Sequence, residues 1–249
     1  MGCSLVVNTD DLSGPGGAAD GGGPGPVSDA GPNDAVGDAT ADVRGGDDGA
    51  APNFTDDFNR ADGPPGNGWT EKTPGRLTIS GGHLVATSGD FRDGFVYRAT
   101  DDLTDVELSV ELTFSVPPEG DPQLLARLQH ATVAQAGAFD GYVCWIGSAG
   151  TAIKVGREGG ATLTTLAQTS FPSALATSSI HRLRCTVTGQ SPVQIIGIVE
   201  KQAGATWTEI SRASFADTSP QRITKSGTVA LGNNAAPVFT FDNFSRTAL

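Results

Sequence analysis

Glu107 and Glu111 stand four residues apart in the stretch DVELSVELTFSV at 105–116. Paired carboxylates are what acid–base cleavage of a glycosidic bond requires, about 5–5.5 Å apart for retention or about 6.5–9.5 Å for inversion. Positions i and i+4 of a strand lie roughly 13 Å apart along the backbone, so the two side chains would have to converge. The alternative is a pair of solvated glutamates on an outward face. A second cluster joins the two ends of one segment. FTDDFNR at 54–60 and FTFDNF at 239–244 each set aromatics around Asp and Asn. Such hard oxygen donors suit calcium, and the same residues also cap strand ends by bonding backbone amides. A third candidate is Trp145 with Arg127, Gln129 and Glu111. An apolar ring beside directional polar groups suits a sugar, although YVCWI at 142–146 is apolar on both faces and Trp145 equally suits packing.

These residues need strands to position them. In 105–116 the residues Val106, Leu108, Val110, Leu112 and Phe114 fall on one face, and Glu107, Ser109, Glu111, Thr113 and Ser115 on the other. That alternation predicts a half-buried antiparallel strand. RLTIS (76–80) and HLVAT (83–87), joined by Gly81-Gly82, predict a hairpin. Further short strands are expected at 94–100, 123–131, 141–147, 151–157, 161–168, 181–189, 193–201, 206–215, 226–232 and 238–246. Alternation sends Leu183, Cys185, Val187, Cys144, Ala126 and Leu128 to the core and Trp145, Arg127 and Gln129 outward. Cys144 and Cys185 thus share a core face, as a disulfide in an oxidising compartment or as two buried thiols. His83, His130 and His181 are scattered, which gives a zinc site no support. No Ser–His–Asp arrangement, phosphate-cradling Gly loop or dinucleotide fingerprint is present.

About a dozen turn-punctuated strands predict an all-β fold, a two-sheet antiparallel jelly-roll sandwich over residues 53–249 with its first and last strands side by side. The preceding residues differ in kind. Of the formal charge of −12, residues 1–52 carry −8 through nine Asp against one Arg, leaving −4 for the remainder. Residues 13–52 hold no aromatic, Leu or Ile, so they lack the apolar surface that would offset the entropy of ordering, and a disordered tether is expected. The acidic balance argues against nucleic acid, whose binding rests on clustered Lys and Arg. No apolar run approaches the roughly 18 residues that span a membrane.

Residues 1–12 begin MGCSLVV. Val6 fails the Ser or Thr that myristoylation needs at that position. Gly-Cys-Ser, an apolar patch and a long Gly/Ala/Asp/Pro tether resemble bacterial lipoproteins of myxobacterial type, which implies lipidation at Cys3. The charged and apolar regions of such a signal peptide are then expected upstream of Met1.

Several ordered motifs carry a second resemblance: DDFNRADG with Trp69 soon after, the strands around GGHLV, DVELSVEL, LLARLQ, and SGTVALG followed by FDNF. Together they resemble the concanavalin A-like lectin/glucanase superfamily, with its laminin-G-like modules, family-16 glucanases and 3-keto-disaccharide hydrolase group. The resemblance covers nearly all of 53–249. It implies carbohydrate or surface-polymer binding, and a structural calcium where the first and last strands meet, with Asp57, Gly82 and Asp242 as ligands. Family-16 glucanases carry E-x-D-x-E on one strand of the concave sheet, and Ser109 stands here where the Asp would be. The expectation is therefore a monomeric, lipid-anchored, non-catalytic binding module at the cell envelope, on the outer membrane or cell surface. A glycoside hydrolase acting through Glu107 and Glu111 is the alternative, and an adhesive module without a small ligand is a third.

Overall fold

The computed structural model describes residues 53–87, 94–115, 121–131, 139–147, 150–160, 162–233 and 239–249. The chain divides into two units, Met1–Gly45 and Gly46–Leu249. The first lies wholly outside the described residues, as do Cys3 and the expected tether at 13–52.

Among the described residues every regular element is a strand. They are β1 (Phe54–Asp56), β2 (Thr70–Glu71), β3 (Leu77–Ser80), β4 (His83–Ala86), β5 (Phe95–Tyr97), β6 (Val106–Phe114), β7 (Gln123–Gln129) and β8 (Phe139–Gly147), followed by β9 (Ala152–Gly160), β10 (Thr162–Ser170), β11 (Ile180–Thr188), β12 (Val193–Ala203), β13 (Thr206–Asp217), β14 (Thr228–Gly232) and β15 (Phe239–Ala248). They form two antiparallel sheets. One has eight strands in the order β13-β12-β11-β6-β15-β4-β3, with β1 also on β15. The other has seven in the order β10-β9-β8-β7-β14-β5-β2. This is the jelly-roll sandwich expected from the strand pattern. β1 and β15 pair with Phe54 opposite Arg246 and Asp56 opposite Phe244.

The local chemistry explains the elements. The alternating face of β6 is buried throughout, and Glu107, Ser109 and Glu111 are half-buried on the opposite face. The β3–β4 hairpin turns through Gly81 and Gly82 at φ of 60° and 79°, a conformation that costs glycine little. Between the sheets lies one apolar core holding Leu108, Val110, Cys144, Val155, Leu183, Cys185 and their neighbours. Within it Cys144 of β8 and Cys185 of β11 form a disulfide with Cα atoms 5.7 Å apart, tying one sheet to the other.

A smaller apolar cluster lies apart from that core and includes Phe95, Tyr97, Leu125, Leu128, Phe139, Val143 and Trp145. β8 is therefore apolar on both faces, as a strand buried on both sides must be.

One expectation fails at β7. Its register against β8 breaks between Ala126 and Gln129, and Arg127 takes φ 51°. The bulge rotates the residues beyond it. Ala126 stays in the inter-sheet core, but Leu128 joins the smaller cluster instead of the core face assigned by simple alternation. Gly227 makes room for the bulge, since a Cβ there would lie 2.7 Å from the carbonyl carbon of Arg127.

Candidate functional site

The polar corner where β1 meets β15 is built from the FTDDFNR motif. Asp56 is buried, and its carboxylate accepts from the Phe58 N–H (2.9 Å), Arg60 Nη1 and Nη2 (2.8 and 3.0 Å) and Trp69 Nε1 (2.8 Å). Burial alone would push this carboxyl up. The hydrogen bonds from Arg60, Phe58 and Trp69 outweigh it and hold the group below the usual carboxylate range. The same bonds fix Phe58 at φ 52° and place its ring in the core, with its centroid 6.2 Å from that of Trp69. The next residue, Asp57, is exposed, and its Oδ1 accepts from Asn59 N–H at 3.1 Å.

On β15 the register against β6 breaks between Asp242 and Ser245, with Asn243 at φ 44°. The bulge sets Asn243 at the surface, where Nδ2 donates to Glu111 Oε2 at 3.0 Å. Two depressions flank it. One of about 430 Å³ is lined by Thr55, Asp57, Arg60, Asn67, Asn243 and Ser245 among others. The other, about 350 Å³, is lined by Asp57, Asn59, Gly82, His83, Asp242 and Asn243 among others. Asp57 and Asn243 belong to both.

The structure thus brings Asp57, Gly82 and Asp242 around one depression. Asp242 Oδ1 accepts from Asn243 N–H at 2.8 Å, and its Oδ2 lies 3.3 Å from His83 Nδ1. No group of three or more His, Cys, Asp or Glu that could hold a metal forms among the described residues. A cation here would rest on two carboxylates supplemented by backbone and amide oxygens. That mixed set of hard oxygens is one calcium accepts, so the donor chemistry fits.

The other expected ligand set is not assembled. Glu111 lies on the solvent side of the eight-stranded sheet, whereas Trp145, Arg127 and Gln129 belong to the seven-stranded one. Trp145 does turn away from Cys144, but only 4% of it is exposed. Its indole lies over two glycines. A Cβ at Gly147 would come 2.8 Å from Nε1, and one at Gly156 2.9 Å from Cζ3. Packing, not a ligand platform, is its role. Arg127 is fully buried and donates to the carbonyls of Thr104 (2.5 Å), Ile223 (2.7 Å) and Gly189 (2.6 Å) and to Asp105 Oδ1 (3.1 Å). Its donors are spent on loops, which removes it from any ligand. Gln129 Nε2 likewise donates to Ser226 O at 2.5 Å.

The paired glutamates turn to opposite neighbours. Glu107 meets Arg184 (2.7 Å) on β11, while Glu111 meets Asn243 on β15. Ser109 between them bonds Ser245 at 3.0 Å. Two carboxylates drawn to the strands on either side do not face one another across a shared bond.

Sequence reasoning missed Asn67, Asn243 and Arg60 as lining residues. Arg60 and Asn243 fall inside the FTDDFNR and FTFDNF clusters, whereas Asn67 lies outside both. The outward turn of Asn243 depends on a bulge with no local signature.

No family model matches the chain, and neither does any curated protein. Solved structures do. The carbohydrate binding module CBM66 from Bacillus subtilis is 13% identical, with 73% of this chain and 96% of that chain covered at a TM-score of 0.50. The exoplasmic/lumenal domain of VIP36 in its Ca2+/Man2-bound form is 10% identical over 79% and 87%, at 0.54. A β-1,3-1,4-glucanase (lichenase) derived from a mouse hindgut metagenome is 11% identical over 79% and 99%, at 0.51. At such identities the likeness is one of fold: the chain carries the jelly roll shared by these three domains.

Proposed function

We propose that residues 53–249 form a carbohydrate-binding module, held at the cell envelope by a lipid on Cys3 and spaced from it by residues 13–52. One observation carries the reading. The β1–β15 corner gathers Thr55, Asp57, Arg60, Asn67, Asn243 and Ser245 around a shallow depression of about 430 Å³. Carboxylate, amide, guanidinium and hydroxyl groups together offer the directional donors and acceptors that sugar hydroxyls use. Likeness of fold to a carbohydrate binding module and to a mannose-bound domain supports it. Asp57, Gly82 and Asp242 would hold calcium beside the depression, and the ion's charge would fix the loops that line it. The buried disulfide suits a protein matured in an oxidising compartment.

A glycan array probed with the full chain, with calcium and with chelator, tests this. Asn243→Gly is the informative variant. Glycine keeps the left-handed backbone at φ 44° and removes only the amide. Retention of at least one glycan class is expected, weakened by chelator and lowered about tenfold or more in the variant. An array without retained glycans, or a variant that binds as well as the parent, overturns the reading.

A further inference from the structure

The ten residues 218–227 between β13 and β14 form no strand, yet polar side chains from three strands strap them down. Tyr142 Oη donates to Asp217 Oδ2 at 3.0 Å and accepts from Ile223 N–H at 3.0 Å. Arg157 Nη1 donates to Asp217 Oδ2 (2.5 Å) and to Ser219 Oγ (2.6 Å). Arg127 and Gln129 hold the carbonyls of Ile223 and Ser226. Arg222 secures the loop from within, through Ser219 O and Gln190 O at 3.0 Å each. Arg127, Tyr142 and Asp217 are all buried. Burial, aided by Asp217 against the opposing Ile223 N–H, pushes the Tyr142 phenol up to about 12, so it remains a donor.

Burying charges to immobilise an irregular loop is costly, and loops fixed on a rigid scaffold are where binding residues concentrate. This loop borders two adjoining depressions. One, about 370 Å³, is lined by Asp140, Thr162, Thr164, Gln221 and others. The other, about 270 Å³, is lined by His130, Asp140, Gln221, Arg222, Thr224, Lys225 and others. Asp140, Gln221 and Ile223 are common to both, so the two form one groove within the size range of ordinary ligand sites. In the smaller part Arg222 and Lys225 stand against one carboxylate, Asp140, whose Oδ1 already accepts from Gly160 N–H at 2.8 Å. Residues 53–249 are acidic as a whole, so the smaller part is a local reversal of charge, while the larger part sets Arg157 beside Asp140 and Glu158.

We propose that the groove is a second binding site, for an acidic saccharide: the carboxylate or sulfate seats between Arg222 and Lys225, and the ring hydroxyls extend along Gln221, Thr162 and Thr164. It stands apart from the β1–β15 corner and shares no lining residue with it.

Calorimetric titration of the full chain with polygalacturonate, dextran sulfate and neutral dextran tests it. Binding of at least one polyanion is expected, weakening as salt rises, with dextran inert. Polygalacturonate alone would assign the carboxylate, and dextran sulfate alone the sulfate. Lys225→Glu, whose parent side chain is exposed, should lower affinity about tenfold or more at an unchanged melting temperature. Arg222→Ala should do the same with a loosened loop. Asn243→Gly should leave polyanion binding untouched, whatever it does to neutral glycans, which separates this site from the corner. Binding of neither polyanion, equal binding of dextran, or full affinity in Lys225→Glu overturns the proposal.

Discussion

Arg127 shows how far a single residue can depart from its expected role. A fully buried guanidinium must have its donors met, and here three loop carbonyls and Asp105 meet them. His181 is another buried base, and its environment makes a contribution to stability that depends on pH. Only 1% of it is exposed, with its ring centroid 5.8 Å from that of Phe114. Burial, assisted by the charge of Lys201 and opposed by the Ser179 carbonyl, pulls its pKa from 6.5 down to about 4. In the unfolded chain the imidazole therefore binds a proton that the folded chain refuses across that window. Its contribution to stability is complete above about pH 6.5 and declines as pH falls toward about 4. His181→Leu removes that titration. Melting temperature measured from pH 7 to pH 4 should fall less steeply in the variant than in the parent. Parallel profiles would show that His181 does not titrate as described.

At the scale of the strand, much was legible because alternation is a direct consequence of a two-fold backbone repeat. β6 reproduces its expected faces residue by residue, and the Gly81-Gly82 turn falls where two consecutive glycines demand it. The errors cluster where the repeat breaks. The bulge in β7 moved Leu128 off the face assigned to it and turned Arg127 inward, and the bulge in β15 exposed Asn243. A bulge adds one residue without altering local composition, so alternation carries no sign of it. Trp145 was left open between packing and a ligand platform for another reason. Its outward direction follows from Cys144 facing inward, but its burial depends on Gly147 and Gly156 leaving space and on a cluster drawn from several strands. Similarly, two mid-strand cysteines left pairing open, because the approach of β8 to β11 is a property of sheet packing. With both sulfurs buried and a separation of 41 residues, the crosslink restricts the unfolded chain. Replacing both by Ala should lower unfolding free energy by about 4 kcal/mol, read as a lower urea midpoint with the strand signature retained. An unchanged midpoint would mean that core packing alone sets the stability.

For the whole molecule, charge and apolar content divide unevenly along the chain. Residues 1–52 carry −8 of the −12, and 13–52 supply no Leu, Ile or aromatic residue. From that composition the expectation is a segment that gains too little from burial to order itself and whose like charges would extend it. Its proposed role is to hold the β-sandwich away from a lipid on Cys3. Two measurements on the full chain, expressed behind a lipoprotein signal peptide, examine this together. Limited proteolysis should cut within 13–52 and release a fragment beginning near residue 53, with the melting temperature of the parent, because 13–52 have no Leu, Ile or aromatic side chain to offer a core. Cys3→Ser should move the intact protein from the membrane fraction to the soluble one and leave the proteolytic fragment unchanged. If cleavage destroys cooperative melting, residues before 53 belong to the folded unit and the tether is wrongly drawn. If the parent and Cys3→Ser fractionate alike, the anchor is not a lipid on that cysteine. The fragment would then still carry both proposed binding sites, since every residue assigned to them lies at or beyond Thr55.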